Sequence, residues 1–158
     1  MPLESTQMLI TARIDRGDIT LQEVEAIASS MNTKPHYTPR MRRHICAKWV
    51  TECEYGFRYL EALALRLGEM FEERYGNPHK SISLYRALPP APHRHRRRAK
   101  PVPLAVKSYA RYYDDPVRTY REFYIQDKAK FATWSFCDPP PWWSNHDIRN
   151  SFSLCPYT

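Results

Sequence analysis

The chain has 158 residues, of which 42% are hydrophobic and 13% aromatic, and its 24 Lys and Arg outnumber 17 Asp and Glu to give a formal net charge of +7. This length suits one domain with its own core, and the apolar content excludes a disordered chain. No apolar run approaches the roughly 20 residues of a membrane span and no signal-peptide pattern opens the sequence, so we expect a cytoplasmic protein without a membrane partner. The positive charge favours a polyanionic partner, chiefly nucleic acid.

The first two predicted elements are amphipathic helices. Residues 2–14 form the first, with Pro2 suited to the opening turn. The segment "TLQE", which begins at Thr20, is a capping box with Glu23 at the reciprocal position, so it starts the second helix. The apolar stripe of this second helix consists of Leu21, Val24, Ile27, Ala28 and Met31. The turn-rich residues 32–40 then connect it to the centre of the chain.

Residues 44–75 are the predicted architectural centre. Their apolar side chains recur at helical spacing, at Ile45, Trp49, Cys53, Leu60, Leu63, Leu67 and Phe71. An unbroken helix of this length would span about 46 Å, which is long for so small a domain. We therefore expect Gly56 and Gly68 to be points of helix breakage or of close packing.

The end of this helical run, "FEERYGNPHKS" at 71–81, gathers charged and aromatic residues. One interpretation is an ordinary helix end, in which Gly76 is a left-handed C-cap, Pro78 stops the helix and Lys80 lies near the negative end of the dipole. The other interpretation is a functional site that uses Arg74 and His79. The pattern alone does not decide between them.

A basic, proline-bounded segment, "LPPAPHRHRRRAKPVP", occupies residues 88–103. The prolines exclude a helix or a central strand. The segment is either a solvated loop or a clamp for the nucleic-acid backbone, in which arginine forks pair with phosphates. The cations of the predicted clamp are Arg94, Arg96, Arg97, Arg98 and Lys100.

The last predicted helix begins at "DDPV", where Asp115 is the cap and Pro116 occupies the first turn. We expect its buried edge to consist of Val117, Tyr120, Tyr124 and Phe131. The proline- and aromatic-rich tail, residues 135–158, is expected to be irregular. Its Trp142 and Trp143 either stack on bases or cover an apolar patch.

The sequence predicts neither a metal nor a cofactor. The four cysteines form no Cys-x-x-Cys pair, which favours reduced thiols. Cys46 and Cys53 share a helix face and could hold a metal together with His44, but buried core thiols are the favoured interpretation. No glycine-rich phosphate loop and no nucleophilic serine motif is present. The predicted fold is all-α, a single domain over 1–158 around a long central helix or helix pair.

Four segments in order resemble a family of small bacteriophage proteins. They are "MPLESTQMLITA" (1–12), "RHICAKWVTECEYGFRYL" (43–60), "RYGNPHKS" (74–81) and "YREFYIQDKAKFATW" (120–134). The first helix is in turn similar to that of the phage pyrimidine-dimer DNA glycosylase/abasic lyase, endonuclease V, a compact all-α enzyme. The resemblance implies a DNA-directed protein in the cytoplasm of an infected host cell.

The resemblance also implies a set of site residues. Glu4 falls at the position of the catalytic glutamate, and His44 and His79 are expected to share its pocket. The residues expected to hold phosphates are Arg74, Lys80, Arg121 and Lys128. An extruded base would stack on Tyr75 or Trp49. Alternatives stay open at several positions, because a tryptophan at helical spacing suits a core, Glu4 suits a helix N-terminus and His44 suits a cap.

The chain also departs from the family pattern. Relatives carry a leading segment that we expect this chain to lack, and Arg43 and Ile45 replace the Asn and Pro expected around His44. Removal of Met1 would leave the secondary amine of Pro2, which can form an iminium. The leading hypothesis is a DNA-binding protein that excises or modifies a base, for example by group transfer onto a hydroxymethylated pyrimidine. The alternative is a non-catalytic binder that blocks a host defence complex or occupies nucleic acid.

Overall fold

A computed structural model describes residues 2–94, 100–106, 115–134 and 137–143. The described residues form helices and connecting segments without any strand, so the predicted all-α fold is confirmed. The structure divides into two compact units, Met1–Pro103 and Leu104–Thr158, and the single domain expected from the sequence stays a prediction. We call them unit 1 and unit 2 and describe each by itself.

Unit 1 contains five α-helices among its described residues. They are α1 (Pro2–Asp15), α2 (Leu21–Ser30), α3 (Ile45–Glu52), α4 (Glu54–Tyr75) and α5 (Lys80–Ala87), with a short 3-10 helix at Pro39–Arg43 before α3. The predicted capping box of α2 is confirmed. The Thr20 side chain accepts from the Glu23 amide, and the Glu23 carboxylate accepts from the Thr20 amide in return at 2.7 Å.

The long central segment breaks at Cys53, one of its core positions, and not at a glycine. Cys53 ends α3 and caps α4, with its Sγ accepting from the Gly56 N–H at 3.4 Å. Both glycines instead allow close packing, since a Cβ at Gly56 would lie 2.8 Å from the Trp49 ring and one at Gly68 would lie 2.7 Å from Ile82. Of the two expectations for these glycines, the structure confirms close packing.

Helix α5 was not predicted from the sequence. Gly76 ends α4 in the left-handed conformation (φ +70°), as expected, but a new helix begins only four residues later under the cap of His79. Its Ile82 and Leu84 are buried together with Leu9 and Ile10 of α1 in one apolar core. Burial of Ile82 and Leu84 in this core, rather than local helix propensity, accounts for the formation of α5.

Arginine side chains fasten the C-terminal end of α1 to its neighbours. Arg16 donates to the carbonyl oxygens of Val50, Thr51 and Cys53 at 2.6, 2.9 and 3.3 Å, and to Glu54 at 3.0 Å. The Val50 and Thr51 carbonyls lie in the last turn of α3, where carbonyls lack partners within the helix, whereas the Cys53 carbonyl also accepts from the Phe57 N–H at 2.9 Å. We call this region, with Arg13, Arg16, Arg58 and Arg94, the arginine end of unit 1.

Unit 2 contains α6 (Pro116–Phe123), followed by a π-helical turn at Tyr124–Lys128 and a 3-10 turn at Ala129–Phe131. The Asp115 cap is confirmed, since its carboxylate accepts from the Arg118 N–H at 3.0 Å. The predicted buried edge is wrong at three of its four positions, because Val117, Tyr124 and Phe131 are all more than half exposed, whereas Tyr120 is half-buried. The change from α-helical to π-helical geometry at Tyr124 alters the periodicity on which that prediction rested.

Within the described part of the chain, no helix combines the length and the apolar character needed to cross a membrane.

Candidate functional site

Three helix termini of unit 1 lie at the same end of the bundle. The Thr6 hydroxyl of α1 is 3.2 Å from that of Ser81, so the N-terminal parts of α1 and α5 are adjacent. Helix α4 runs the opposite way, because Arg16 near the end of α1 bonds Glu54 at the start of α4. The C-terminus of α4 therefore reaches the N-termini of α1 and α5. We call this region, with Glu4, His36, Arg74, His79 and Lys80, the histidine end.

His79 is the best-anchored side chain of the histidine end. Its Nδ1 accepts from the Ser81 N–H at 3.3 Å and lies 2.8 Å from the Ser81 hydroxyl, which in turn is 3.2 Å from the Thr6 hydroxyl. Because Nδ1 accepts from an amide, the neutral ring carries its proton on Nε2. Burial lowers the pKa of His79, which favours this neutral form.

His36 is a second histidine at this end, and no motif in the sequence indicated it. Burial lowers its pKa, and the neighbouring charges of His79 and Lys34 lower it further. Its backbone is left-handed (φ +52°), and its Nε2 lies 3.4 Å from the Thr33 hydroxyl. Only the fold of the turn-rich connection brings it beside His79, so no local pattern could have revealed it.

The other predicted residues of the histidine end are exposed. Glu4, Arg74 and Lys80 lie at the surface, and the Arg74 guanidinium is 5.5 Å from the centre of the Tyr75 ring. Tyr75 is 56% exposed and contacts Phe71, whose ring also meets His79 edge-on at 4.8 Å. The fold thus brings the elements of Glu4, Arg74, His79 and Lys80 to one end, but none of the described contacts links Glu4 directly to the other three.

His44 lies away from this group. It is an exposed N-cap of α3, and its Nδ1 accepts from the Cys46 N–H at 3.2 Å. Two residues earlier, Arg42 pairs with Asp15 at 2.7 Å, in the last turn of α1. Glu4 is in the first turn of the same helix, about 16 Å away along the axis. The described contacts therefore support the capping interpretation of His44 and do not bring it to Glu4.

Trp49 contributes to the core and does not offer a stacking surface. It is 8% exposed, its Nε1 donates to the Lys100 carbonyl at 3.0 Å, and its ring packs on Gly56. The exposed aromatic surface in this region is formed instead by Tyr55 and Tyr59, whose rings stack with centroids 6.4 Å apart. Their i, i+4 spacing on α4 was the available sequence signal.

Two cations of the predicted phosphate clamp are engaged within the fold. Arg94 donates to Asp18 at 2.5 Å and to the Arg16 carbonyl at 2.6 Å, and Lys100 pairs with Glu52. Arg94 is therefore a structural residue of the arginine end, because its guanidinium pairs with one oxygen of a carboxylate that is itself inaccessible to solvent. The remaining clamp residues, Arg96, Arg97 and Arg98, lie outside the described residues.

In unit 2 the two predicted phosphate-binding cations contact aromatic rings. The Arg121 guanidinium lies 5.6 Å from the centre of the Trp142 ring, and the Lys128 ammonium lies 5.2 Å from that of Phe123. Trp143 is buried against Trp134, with ring centroids 5.5 Å apart. This burial favours the covering role over base stacking for Trp143, whereas Trp142 is only half-buried.

No set of three His, Cys, Asp or Glu side chains is arranged to hold a metal ion in the ranges that the structure describes. Burial raises the pKa of Cys46 and keeps it a neutral thiol, which is a poor ligand. Cys53 is fully buried and serves as the α4 cap.

The fold and the site define an all-α protein with a cationic, histidine-containing end. Comparisons with known protein families, with curated proteins and with solved structures find no match for this chain. The resemblance to small phage proteins and to the pyrimidine-dimer glycosylase therefore stays a prediction from the motifs.

Proposed function

We propose that this protein binds DNA and acts on a DNA base, by excision or by group transfer, at the histidine end of unit 1. The observation that carries the proposal is the hydrogen-bonded chain from His79 through Ser81 to Thr6. This chain fixes an imidazole against α1, the helix that carries Glu4 in its first turn. The motifs that resemble phage proteins supply the setting, an infected bacterial cell.

The residues of this end suit acid–base chemistry on a nucleoside. The Glu4 carboxylate can act as a base or stabilise positive charge that develops on a sugar. His79 is held with Nδ1 occupied, which leaves the Nε2–H as its donor toward a ligand. Its lowered pKa keeps this ring neutral near pH 7, so it donates a hydrogen bond without carrying a charge.

The exposed cations and the ring of Tyr75 suit the remaining parts of the substrate. Arg74 and Lys80 project from two helices that meet at this end, so they can contact phosphates on either side of one nucleotide. Tyr75 is exposed and is supported from behind by Phe71, with ring centroids 4.6 Å apart. An exposed ring that is held in place is a platform on which an extruded base can stack.

Catalysis is tested with duplexes that carry an abasic site, a pyrimidine dimer or a hydroxymethylated pyrimidine. Turnover is followed by the mass of the oligonucleotide, and borohydride trapping detects a Schiff base. We expect Glu4→Gln to abolish turnover while binding stays within a few-fold, because the amide keeps the shape and loses the base. Glu25→Gln, at an exposed position of α2, is the matched control. Equal activity of Glu4→Gln and the wild type would reject the role of Glu4.

Ligand contact at this end is tested by DNA affinity. Arg74→Ala should weaken binding at least tenfold, about 1.4 kcal/mol for a lost charge-assisted contact. His79→Asn should do the same while its side chain still caps α5, whereas His79→Ala would also remove the cap. Arg66→Ala, an exposed arginine further back on α4, is the control for net charge. If Arg74→Ala and Arg66→Ala bound DNA with equal affinity, the DNA would bind at a site other than the histidine end.

The basic segment gives a separate test through salt dependence. Each phosphate contact contributes about 0.9 to the slope of log K against log salt. Replacing Arg96, Arg97 and Arg98 together by alanine should therefore flatten the slope by about 3. Arg94→Ala should lower stability and leave the slope unchanged, because its guanidinium is engaged by Asp18. A slope unchanged by the triple replacement would remove the clamp.

A second candidate function, non-catalytic binding to a protein complex, is favoured by one observation. Tyr55, Tyr59, Leu63 and Met70 are exposed along one side of α4, by 63, 52, 40 and 47% respectively. Apolar side chains that are exposed together along one side of a helix are a feature of protein interaction sites. On this alternative, Tyr59→Ser and Leu63→Ser weaken binding to the partner while Arg74→Ala does not. Inactivity of the wild type on every DNA substrate, together with that pattern, would favour it.

A further inference from the structure

A pocket of about 180 Å³ opens beside the arginine end of unit 1. Polar side chains that line it are Arg13, Glu61, Tyr85 and Arg86, and its apolar wall includes Leu65 and Pro90. The volume equals that of roughly six water molecules in the liquid. It is small beside the pockets that hold drug-sized molecules, so it suits only a ligand of several heavy atoms.

Arg13 is the unusual member of this lining. Its side chain is 1% exposed, yet no carboxylate among the described residues approaches its guanidinium within 4.0 Å. Nη2 donates to the Pro89 carbonyl at 2.5 Å, and the buried Nε has no hydrogen-bond partner within the described chain. Charged groups are rarely buried without a counter-charge. An anionic ligand would supply the negative charge that this guanidinium lacks.

Glu61 does not supply that counter-charge. One of its oxygens accepts from the Tyr85 hydroxyl at 2.7 Å, and the other accepts from Arg58 at 2.8 Å. Burial and this hydrogen bond raise the pKa of Tyr85, so the hydroxyl remains a donor to Glu61. The Tyr85 ring itself lies 5.8 Å from the Arg13 guanidinium carbon and forms one face of the cation's surroundings.

We propose that this pocket binds a small organic carboxylate, with the carboxylate against Arg13 and the organic group against the apolar wall. A monoanion is favoured over a dianion such as phosphate, because the two cations of the lining, Arg13 and Arg86, are offset by the negative charge of Glu61 to leave a single net positive charge. A guanidinium pairs with a carboxylate through charge-assisted hydrogen bonds. This site lies at the C-terminal end of α1, whereas the proposed DNA site lies at the N-terminal end, so the two proposals stand or fall independently.

The test uses benzoate as the probe, with benzamide as its uncharged analogue and inorganic phosphate as the second anion. Binding to the full-length protein is followed by NMR titration and by thermal stabilisation. We expect benzoate to bind at least tenfold more tightly than either benzamide or phosphate. Failure of benzoate to bind up to its solubility limit, or equal binding of benzamide, would overturn the proposal, and tighter binding of phosphate would overturn its ligand class.

Two variants locate the site. Arg13→Met keeps the side-chain length, removes the charge and should weaken benzoate at least tenfold. Ala91→Leu fills the pocket while leaving Arg13 in place, so it decides the question even if Arg13→Met does not fold. Arg66→Met, an exposed position outside the pocket, is the matched control and should bind like the wild type. Unchanged binding in Ala91→Leu would show that benzoate binds elsewhere and reject the proposed pocket.

Discussion

The two ends of unit 1 use charged residues in opposite ways. At the arginine end, Arg16 and Arg94 are held by carbonyl oxygens and by the carboxylates of Glu54 and Asp18. At the histidine end, Glu4 and Lys80 lie at the surface, and the polar group that is held most firmly is a neutral imidazole. A charged residue near a helix terminus therefore either holds neighbouring helices together or forms part of a surface for a ligand. Only the partners of that residue distinguish the two roles.

The largest expected effect concerns Arg16. Arg16→Met leaves three carbonyl oxygens and the Glu54 carboxylate without this donor, in surroundings where the arginine side chain is only 2% exposed. Breaking a buried pair of this kind costs about 3–5 kcal/mol. We expect the free energy of unfolding, measured by urea denaturation, to fall by about that amount.

The matched control for Arg16 is Arg66→Met. Arg66 pairs with Glu69 and Glu73 on the surface of α4, where such pairs contribute about 0–1 kcal/mol. If the two variants lost similar stability, the arginine end would be an ordinary charged surface. The contrast between the two ends would then disappear.

The sequence predicted those parts of the fold that depend on local signals. The Thr20 capping box, the Gly76 C-cap and the Asp115 cap were each recognisable because both partners lie within a few residues. Helix α5 could not be predicted in this way, since its apolar side chains are buried only by packing against α1, which is distant in the sequence. The break at Cys53 was missed because Cys53 fits the apolar stripe and also serves as a cap.

The candidate site was predictable only in part, for the same reason. Arg74, His79 and Lys80 are close in sequence, so one motif drew attention to them together. His36 reaches His79 only through a left-handed turn, and Arg94 finds Asp18 across 76 residues. Proximity created by the fold leaves no pattern in a single sequence. The basic segment therefore looked like one ligand-binding surface, although Arg94 pairs with the buried carboxylate of Asp18.

An intermediate effect is expected at the two glycines that end helices at opposite ends of the unit. Gly17, after α1, and Gly76, after α4, both have φ +70°, and a Cβ at either would meet nothing within 4 Å. The cost of Gly→Ala is therefore backbone strain alone, about 1 kcal/mol at each position. Gly→Asn should cost less, because asparagine tolerates this conformation.

Urea denaturation of these four variants shows whether the two ends differ in backbone as well as in charge. Similar losses at Gly17 and Gly76 would confine the difference to the side chains. A loss at Gly76 well above that at Gly17 would contradict this, and would indicate that the left-handed turn also positions His79 and its hydroxyl partners.

The smallest expected effect is the pH dependence of stability that arises at the histidine end. Burial lowers the pKa of His36 and of His79 below the ordinary value of 6.5, so the folded chain binds these protons less readily than the unfolded chain does. Their contribution to stability is therefore fully present above about pH 6.5 and is lost as the pH falls through the lowered values. Protonation of Nδ1 would also remove the acceptor that caps α5.

His79→Asn isolates this term, because asparagine retains a capping oxygen and does not titrate. Urea unfolding from about pH 7.5 down to about pH 5 should show a shallower loss of stability in His79→Asn than in the wild type. The same exchange at the α3 cap, His44→Asn, controls for the replacement itself, since His44 is exposed and caps its helix with the same Nδ1 geometry. An identical slope in His79→Asn and the wild type would mean that burial does not lower the pKa of His79. The histidine end would then lose the feature that distinguishes it from any capped helix.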